Sequence, residues 1–170
     1  YEDIDPLRFQ SNYISAFVSI MRGCNNFCTY CVVPYTRGRE RSRPVESILK
    51  ETLDLQKKGY KEVTFLGQNV NSYDFTDDKG KNWRFPELLG HIAKQIPEMR
   101  IRYATSHPKD ISEELIDVMA AHDNICNSLH LPLQSGSTAV LGKMSRKYTR
   151  EDYLKKVEMI KSKMPDIAIS

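Results

Sequence analysis

At 170 residues, 40% of them hydrophobic and 28% charged, the chain has the size and make-up of one globular domain with a core that needs no disulfide staples. No apolar run approaches the length of a membrane span and no signal peptide opens the sequence, which argues against a membrane or exported protein and for a soluble, cytoplasmic one. A net charge of +3 is too small to mark a nucleic-acid binder by itself, because phosphate affinity depends on how Lys and Arg cluster.

The chain opens at Tyr1 on the polar stretch YEDIDPLRFQSN, so residues 1–14 are expected to be a leading segment from an upstream linker and 15–170 a partial core domain. SAFVSIM (15–21) predicts a first strand with a cysteine loop at its carboxyl end. PVESILKETLDLQKKG predicts a helix, with Pro44 in its first turn, an apolar face of Val45, Ile48, Leu49, Thr52, Leu53 and Leu55, and Gly59 at its stop. KEVTFLG is nearly all apolar, as a strand covered on both faces should be. QNVNSYDFTDDKGKNW is long for a strand-to-helix connection, a length that favours a functional or mobile loop. FPELLGHIAKQI reads as the second helix, RIRYATS as the third strand, and ISEELIDVMAAH as the third helix with Ser112 at its N-cap. NSLHLPLQS reads as the fourth strand, TREDYLKKVEMIKSKMP as a helix opening on Thr149, and DIAIS as the start of a fifth strand. Strands alternating with helices predict an α/β fold built of βαβ units around a parallel sheet, here an incomplete parallel (β/α) barrel truncated after about five strands. Every candidate site loop follows a strand, the functional face of such sheets.

Three of the four cysteines fall in one loop as Cys24-x-x-x-Cys28-x-x-Cys31. A closed zinc site wants a fourth ligand, and the histidines (His91, His107, His122 and His130) all lie far downstream. A redox pair of Cys28 and Cys31 leaves Cys24 unexplained. An iron–sulfur cube suits the loop better: three thiolates hold three irons and leave the fourth open to a cofactor, whereas a pure electron carrier fills all four positions. A non-catalytic zinc- or RNA-binding module stands as the rival from another class. The fourth cysteine, Cys126, sits between Ile125 and Asn127 and reads as a small buried hydrophobe.

The cysteine spacing, with the aromatic Tyr30 just before the last cysteine and the loop placed after a first strand, resembles the radical S-adenosylmethionine superfamily. That resemblance implies a [4Fe–4S] cluster on Cys24, Cys28 and Cys31. It also implies S-adenosylmethionine on the open iron and reductive cleavage of that cofactor to a deoxyadenosyl radical that abstracts hydrogen. GCNNFCTYCVVPYTRGRERSRP, FLGQNVNSY, TSHP and LHLPLQSGSTAVLGKMSRKYTREDY, in this order across nearly the whole chain, further resemble the methylthiotransferases. GQNVNSY points to the MiaB-type branch, which methylthiolates isopentenyl-modified adenosine beside the tRNA anticodon. Relatives that act on threonylcarbamoyl-adenosine in tRNA, or on a ribosomal-protein aspartate, share the cysteine loop. The family pattern implies a second, auxiliary [4Fe–4S] cluster on an upstream domain, an RNA-binding domain downstream, and a reducing donor such as flavodoxin or ferredoxin. It also implies that this segment alone is inactive; no membrane and no stable protein partner are expected.

Beside the cluster, the same resemblance places Tyr30, Gly67, Gln68 and Asn69 at the cofactor; Ser106, at the end of the third strand, is a further candidate cofactor contact, and Gln134 and Ser135, at the end of the fourth, are candidate contacts to cofactor or substrate. For Gly67-Gln68-Asn69 the alternative is a plain turn, and for Thr105-Ser106-His107 a helix-entry cap before Pro108. Gly136 would let a ligand approach the backbone beside Gln134 and Ser135. His107 is expected to be exposed and not catalytic. Arg37, Arg39, Arg41 and Arg43 alternate, so an extended segment would put all four on one side, facing RNA phosphate, the cofactor carboxylate or acids such as Glu40 and Glu46. The alternative is a solvated basic loop. Tyr35 adds a surface on which a base can stack, so Tyr35, Arg37, Arg39 and Arg41 are the candidate RNA contacts.

Overall fold

The structure, a computed structural model, describes residues 14–170. The expected leading segment, apart from Ile14, lies outside the described residues. Strand β1 (Ser15–Ser19) runs into the short β2 (Met21–Arg22). The cysteine loop and the one-turn helix α1 (Val33–Thr36) follow, and β3 (Arg41–Ser42) then pairs antiparallel with β2, closing that excursion. Next come α2 (Val45–Lys57), β4 (Glu62–Leu66), the hairpin β5 (Asp74–Thr76) and β6 (Asn82–Arg84), α3 (Phe85–Gln95), β7 (Arg100–Tyr103) and α4 (Glu113–Ala120). The described chain ends with β8 (Ser128–Leu129), α5 (Thr138–Lys143), α6 (Arg150–Lys163) and β9 (Ala168–Ile169). Among the described residues no helix is long and apolar enough to cross a membrane.

Strands β1, β4 and β7 form a parallel sheet in that order. A parallel bridge from Ile101 to Ile125 carries the pairing to the segment before β8, and β8 pairs parallel with β9. Spatial order therefore follows chain order without the reversal that marks an open doubly wound sheet. Right-handed crossovers then place the connecting helices on one side, where α2 packs on α3, α3 on α4 and α4 on α6. This is the wall of an incomplete barrel. Its core lies between sheet and helices, with Val18, Ile48, Phe65, Leu88, Ile92 and Ile101 fully buried.

The other face of the sheet is open, which corrects the expectation for KEVTFLG. In β4 only Val63 and Phe65 are buried, while Glu62, Thr64 and Leu66 are half-buried, and in β1 Phe17 is 62% exposed. Apolar content alone does not distinguish a strand covered on two faces from one covered on one.

Local chemistry sets the element ends. The Ser112 hydroxyl accepts from Leu115 N at 3.2 Å, and Thr149 forms a reciprocal capping box with Asp152 at 3.0 and 2.9 Å, each cap contributing about 1 kcal/mol. Pro44 stands one residue before α2, where its missing N–H costs nothing. The long QNVNSYDFTDDKGKNW loop is structured: it holds a 3₁₀ turn (Val70–Ser72) and the β5–β6 hairpin, whose turn Asp77 organises by accepting from Lys79 N, Lys81 N and Trp83 Nε1. The fourth strand is shorter than NSLHLPLQS suggests, because Pro132 has no N–H to continue the ladder.

Candidate functional site

The cysteine loop leaves the carboxyl end of the β1–β2 segment and is stitched from both sides. Cys24 N donates to Gly38 O at 3.1 Å. The Glu40 carboxylate accepts from Asn25 N and Asn25 Nδ2 at 3.1 and 3.2 Å, and Glu40 N donates to Asn25 Oδ1 at 3.3 Å. Gly23 has φ +81°, and a Cβ there would lie 2.0 Å from Arg39 O, so only glycine lets the two limbs meet. Cys31 N donates to Cys28 O at 2.9 Å, a tight turn that brings the last two cysteines together. Cys24 and Cys28 are buried, Cys31 is half-buried, and none of the cysteines is in a disulfide. Burial pushes the Cys24 thiol up, hydrogen bonds from Asn26 act the other way, and the Glu40 charge adds to the rise. Among the described residues no three His, Cys, Asp or Glu side chains are gathered for a single metal ion.

The β4 and β7 ends close in beside this loop. Gln68 Oε1 accepts from Gly23 N at 2.6 Å, and a Cβ on Gly67 would lie 2.6 Å from Met21 Cγ, so β4 abuts the base of the cysteine loop directly. Asn69 is buried and spans two loops: its Nδ2 donates to Asp110 Oδ2 at 2.6 Å and its Oδ1 accepts from His107 N at 3.2 Å. Val70 N adds a bond to Thr105 O. Ser106 is buried with an unpartnered Oγ.

His107 is 5% exposed, which corrects the expectation of an exposed side chain. Its Nδ1 accepts from Lys109 N at 3.2 Å, capping the turn at Pro108, and its ring packs edge-on against Tyr148. The imidazole, not a hydroxyl, supplies the cap, and the turn draws the ring inward. Burial, with Arg146 nearby, lowers its pKa to about 4, so it is neutral and carries its proton on the unpartnered Nε2.

Sequence reasoning passed over Arg146, although it lies in one of the quoted motifs. Its side chain is buried, with Nη1 donating to Cys28 Sγ at 3.4 Å and to Tyr30 Oη at 3.3 Å, and Nε donating to Tyr148 Oη at 3.2 Å. A lone arginine in a polar run carries no periodic signal; only a pairing between positions 118 residues apart would have exposed it. Thr29 is held from the same segment, its N donating to Met144 O at 3.2 Å and its Oγ1 to Lys143 O at 3.1 Å. Gln134 (φ +69°) and Ser135 follow β8; Gln134 is exposed, and Ser135 Oγ accepts from Ser137 N.

The arginines do not form one row, which corrects the extended-segment expectation. Arg37 caps α1, Gly38 turns the chain, and Arg41 lies in β3. Arg37, Arg39 and Arg41 are exposed, and Glu40 is taken by Asn25. Arg43 turns back to pair with Glu51 at 2.6 Å and to donate to Ser47. Tyr35, 80% exposed, stands beside Phe27 in an edge-on pair at 6.1 Å.

Family comparison matches residues 18–170 to the Radical SAM superfamily model, nine-tenths of the chain. The chain belongs to the Radical SAM superfamily. Two relatives named tRNA-2-methylthio-N(6)-dimethylallyladenosine synthase, from Parabacteroides distasonis and Bacteroides thetaiotaomicron, are 60% and 59% identical over all 170 residues. The chain spans 37% of the length of each. Solved radical enzymes share the fold. The cobalamin-dependent S-adenosylmethionine radical enzyme OxsB superposes with a TM-score of 0.67 at 14% identity, over 90% of this chain and 22% of that one. The radical S-adenosylmethionine methyltransferase TsrM of Kitasatospora setae gives 0.62 at 20% identity, over 86% and 28%. Membership in this superfamily implies a [4Fe–4S] cluster and S-adenosylmethionine, and the residues fit that pair. Three thiols share one loop, a buried guanidinium stands against one of the sulfurs, and a buried hydroxyl and imidazole nitrogen are unpartnered at the same strand ends.

Proposed function

We propose that this chain is the radical domain of an enzyme that methylthiolates isopentenyl-modified adenosine beside the tRNA anticodon. The observation that carries this reading is identity of about 60%, over the whole chain, with relatives of that name. Because the chain spans little more than a third of those relatives, the complete reaction belongs to a longer protein. The auxiliary cluster, the remaining RNA contacts and a low-potential electron donor complete the proposal.

Cys24, Cys28 and Cys31 would hold the cluster, which when bound supplies the electron for reductive cleavage of S-adenosylmethionine. The chain's own residues set the stage for this. The Glu40–Asn25 pair and Gly23 fix the loop shape that presents the sulfurs. Gln68 spends its carbonyl on Gly23 N and has its amide nitrogen to offer a ligand, beside Gly67 at the β4 end. Ser106 Oγ and His107 Nε2 are, with the Asn71 amide, the buried side-chain polar atoms without a partner among the described residues; Tyr30, Gln134 and Ser135 complete the cofactor side. Asn69 serves the site by holding His107 and Asp110. Tyr35, Arg37, Arg39 and Arg41, exposed beside the loop, are the RNA-facing set, with charge for phosphate and a ring for stacking.

The test is a chimera in which this chain replaces the matching segment of the Parabacteroides distasonis relative, expressed in cells lacking their own methylthiotransferase. Mass spectrometry of tRNA nucleosides should show the methylthio product, and Cys28→Ala should abolish it. A folded, iron-loaded chimera that yields none would overturn the reading.

A further inference from the structure

Arg146 sits at 5% exposure between α5 and α6, and among the described residues it pairs with no carboxylate. Among the described residues its hydrogen-bond partners are two tyrosine hydroxyls and the Cys28 sulfur. A guanidinium cannot shed its proton at any accessible pH, so burying it demands an anion close by. As a cluster ligand, the Cys28 sulfur 3.4 Å from Nη1 would be that anion.

The backbone is shaped for this placement. Ser145 and Lys147, the residues on either side of Arg146, have φ of 56° and 58°, a left-handed conformation that non-glycine residues adopt at an energetic cost. The fork is held by what surrounds it. Tyr148 Oη accepts from Arg146 Nε and donates to Leu133 O at 2.8 Å, while the Tyr148 ring packs on His107. Lys143 and Met144 grip Thr29 in the cysteine loop through their carbonyls. The cation is therefore fixed relative to Cys28 from three directions, and it does not swing in from solvent.

We propose that Arg146 is a positioning residue for the iron–sulfur cluster: it hydrogen-bonds the Cys28 thiolate and sets a permanent positive charge against the cluster, making it easier to reduce. The inference rests on Cys24, Cys28 and Cys31 being cluster ligands. Reduction adds one electron from an external one-electron donor and leaves the cluster one unit more negative. A fixed neighbouring cation favours the more negative form, and hydrogen bonds to ligating sulfur shift the potential in the same direction.

The experiment is an anaerobic redox titration of the reconstituted protein with dithionite and mediators, followed by electron paramagnetic resonance, with iron and sulfide counted in each sample. R146M and R146Q should disfavour reduction about tenfold, moving the midpoint about 59 mV more negative for one electron. R146K, which keeps the charge, should recover most of that shift. Y148F removes the anchor without changing charge and should move the midpoint less than R146M does. Wild-type midpoints in R146M and R146Q at full iron content would overturn the proposal, as would R146K behaving like R146M. Loss of iron from all three Arg146 variants alike would also overturn it, since that outcome marks a packing role. A wild-type protein that takes up stoichiometric zinc and no iron would instead overturn the cluster reading itself.

Discussion

Asn69→Ala tests how the strand ends are held at the site. Asn69 is buried and makes two bonds that cross between the β4 and β7 ends: Nδ2 to the Asp110 carboxylate at 2.6 Å and Oδ1 from His107 N at 3.2 Å. The first is charge-assisted and contributes about 1.5–3 kcal/mol; losing the second strands a buried N–H at about 1–3 kcal/mol. Asp110 keeps Lys109 Nζ at 2.5 Å, which offsets part of the first loss. A net destabilisation of about 3 kcal/mol follows, and with a urea m-value of about 2 kcal/mol/M the midpoint falls by roughly 1.5 M. The assay is urea unfolding of the metal-free protein by circular dichroism at neutral pH. Asn69→Asp keeps the acceptor for His107 N but faces Asp110 with a second carboxylate, so it should be no more stable than the alanine variant. A midpoint shift below about 0.5 M for Asn69→Ala, or an Asn69→Asp protein more stable than wild type, would show that these bonds do not hold the loops together.

His107 makes stability depend on pH in a defined window. Its folded pKa of about 4 lies below the ordinary 6.5, so the unfolded chain binds more protons between those values; stability is fully present above pH 6.5 and lost as pH falls toward 4. At about 1.4 kcal/mol per pH unit the full window is worth about 3 kcal/mol, and His107→Asn, which keeps an acceptor for Lys109 N, should flatten the fall in urea midpoint between pH 7 and pH 5. Gly23→Ala combines an unfavourable φ with a Cβ 2.0 Å from Arg39 O, so iron per chain after anaerobic reconstitution should drop by more than half while far-ultraviolet circular dichroism is retained. The arginines should divide. Arg43→Ala should destabilise by about 2 kcal/mol by removing its half-buried ion pair with Glu51 and its bonds to Ser47, whereas Arg37→Ala, Arg39→Ala and Arg41→Ala should stay within about 0.5 kcal/mol of wild type. In the chimeric protein each of those three should weaken tRNA binding and reduce the salt slope by about 1, as loss of a phosphate contact does.

What could be read from the sequence divides by the range over which the signal acts. Cysteine spacing, strand–helix alternation and caps such as Ser112 and Thr149 are local, and the structure has the elements where those signals place them. Local signals fail where distant parts of the chain decide. Alternation put four arginines on one side, but alternation has a direction only in continuous strand, and Gly38 breaks it between Arg37 and Arg39. His107 looked exposed because a polar residue before proline usually lies on a surface loop; the Tyr148 ring, brought in from beyond α5, buries it. Arg146 is the clearest case. No local pattern around it points to Cys28, one of the three positions that spacing had already marked. The three-thiol loop looked self-sufficient in sequence, with its missing fourth ligand as the informative feature. In the folded chain the loop also depends on what faces it: Gln68 from β4 at its base and the segment from Lys143 to Tyr148 along its far side. A spacing motif can specify the donor atoms of a cluster site, while the charge that sets how readily such a cluster takes an electron comes from a part of the chain that no local pattern identifies.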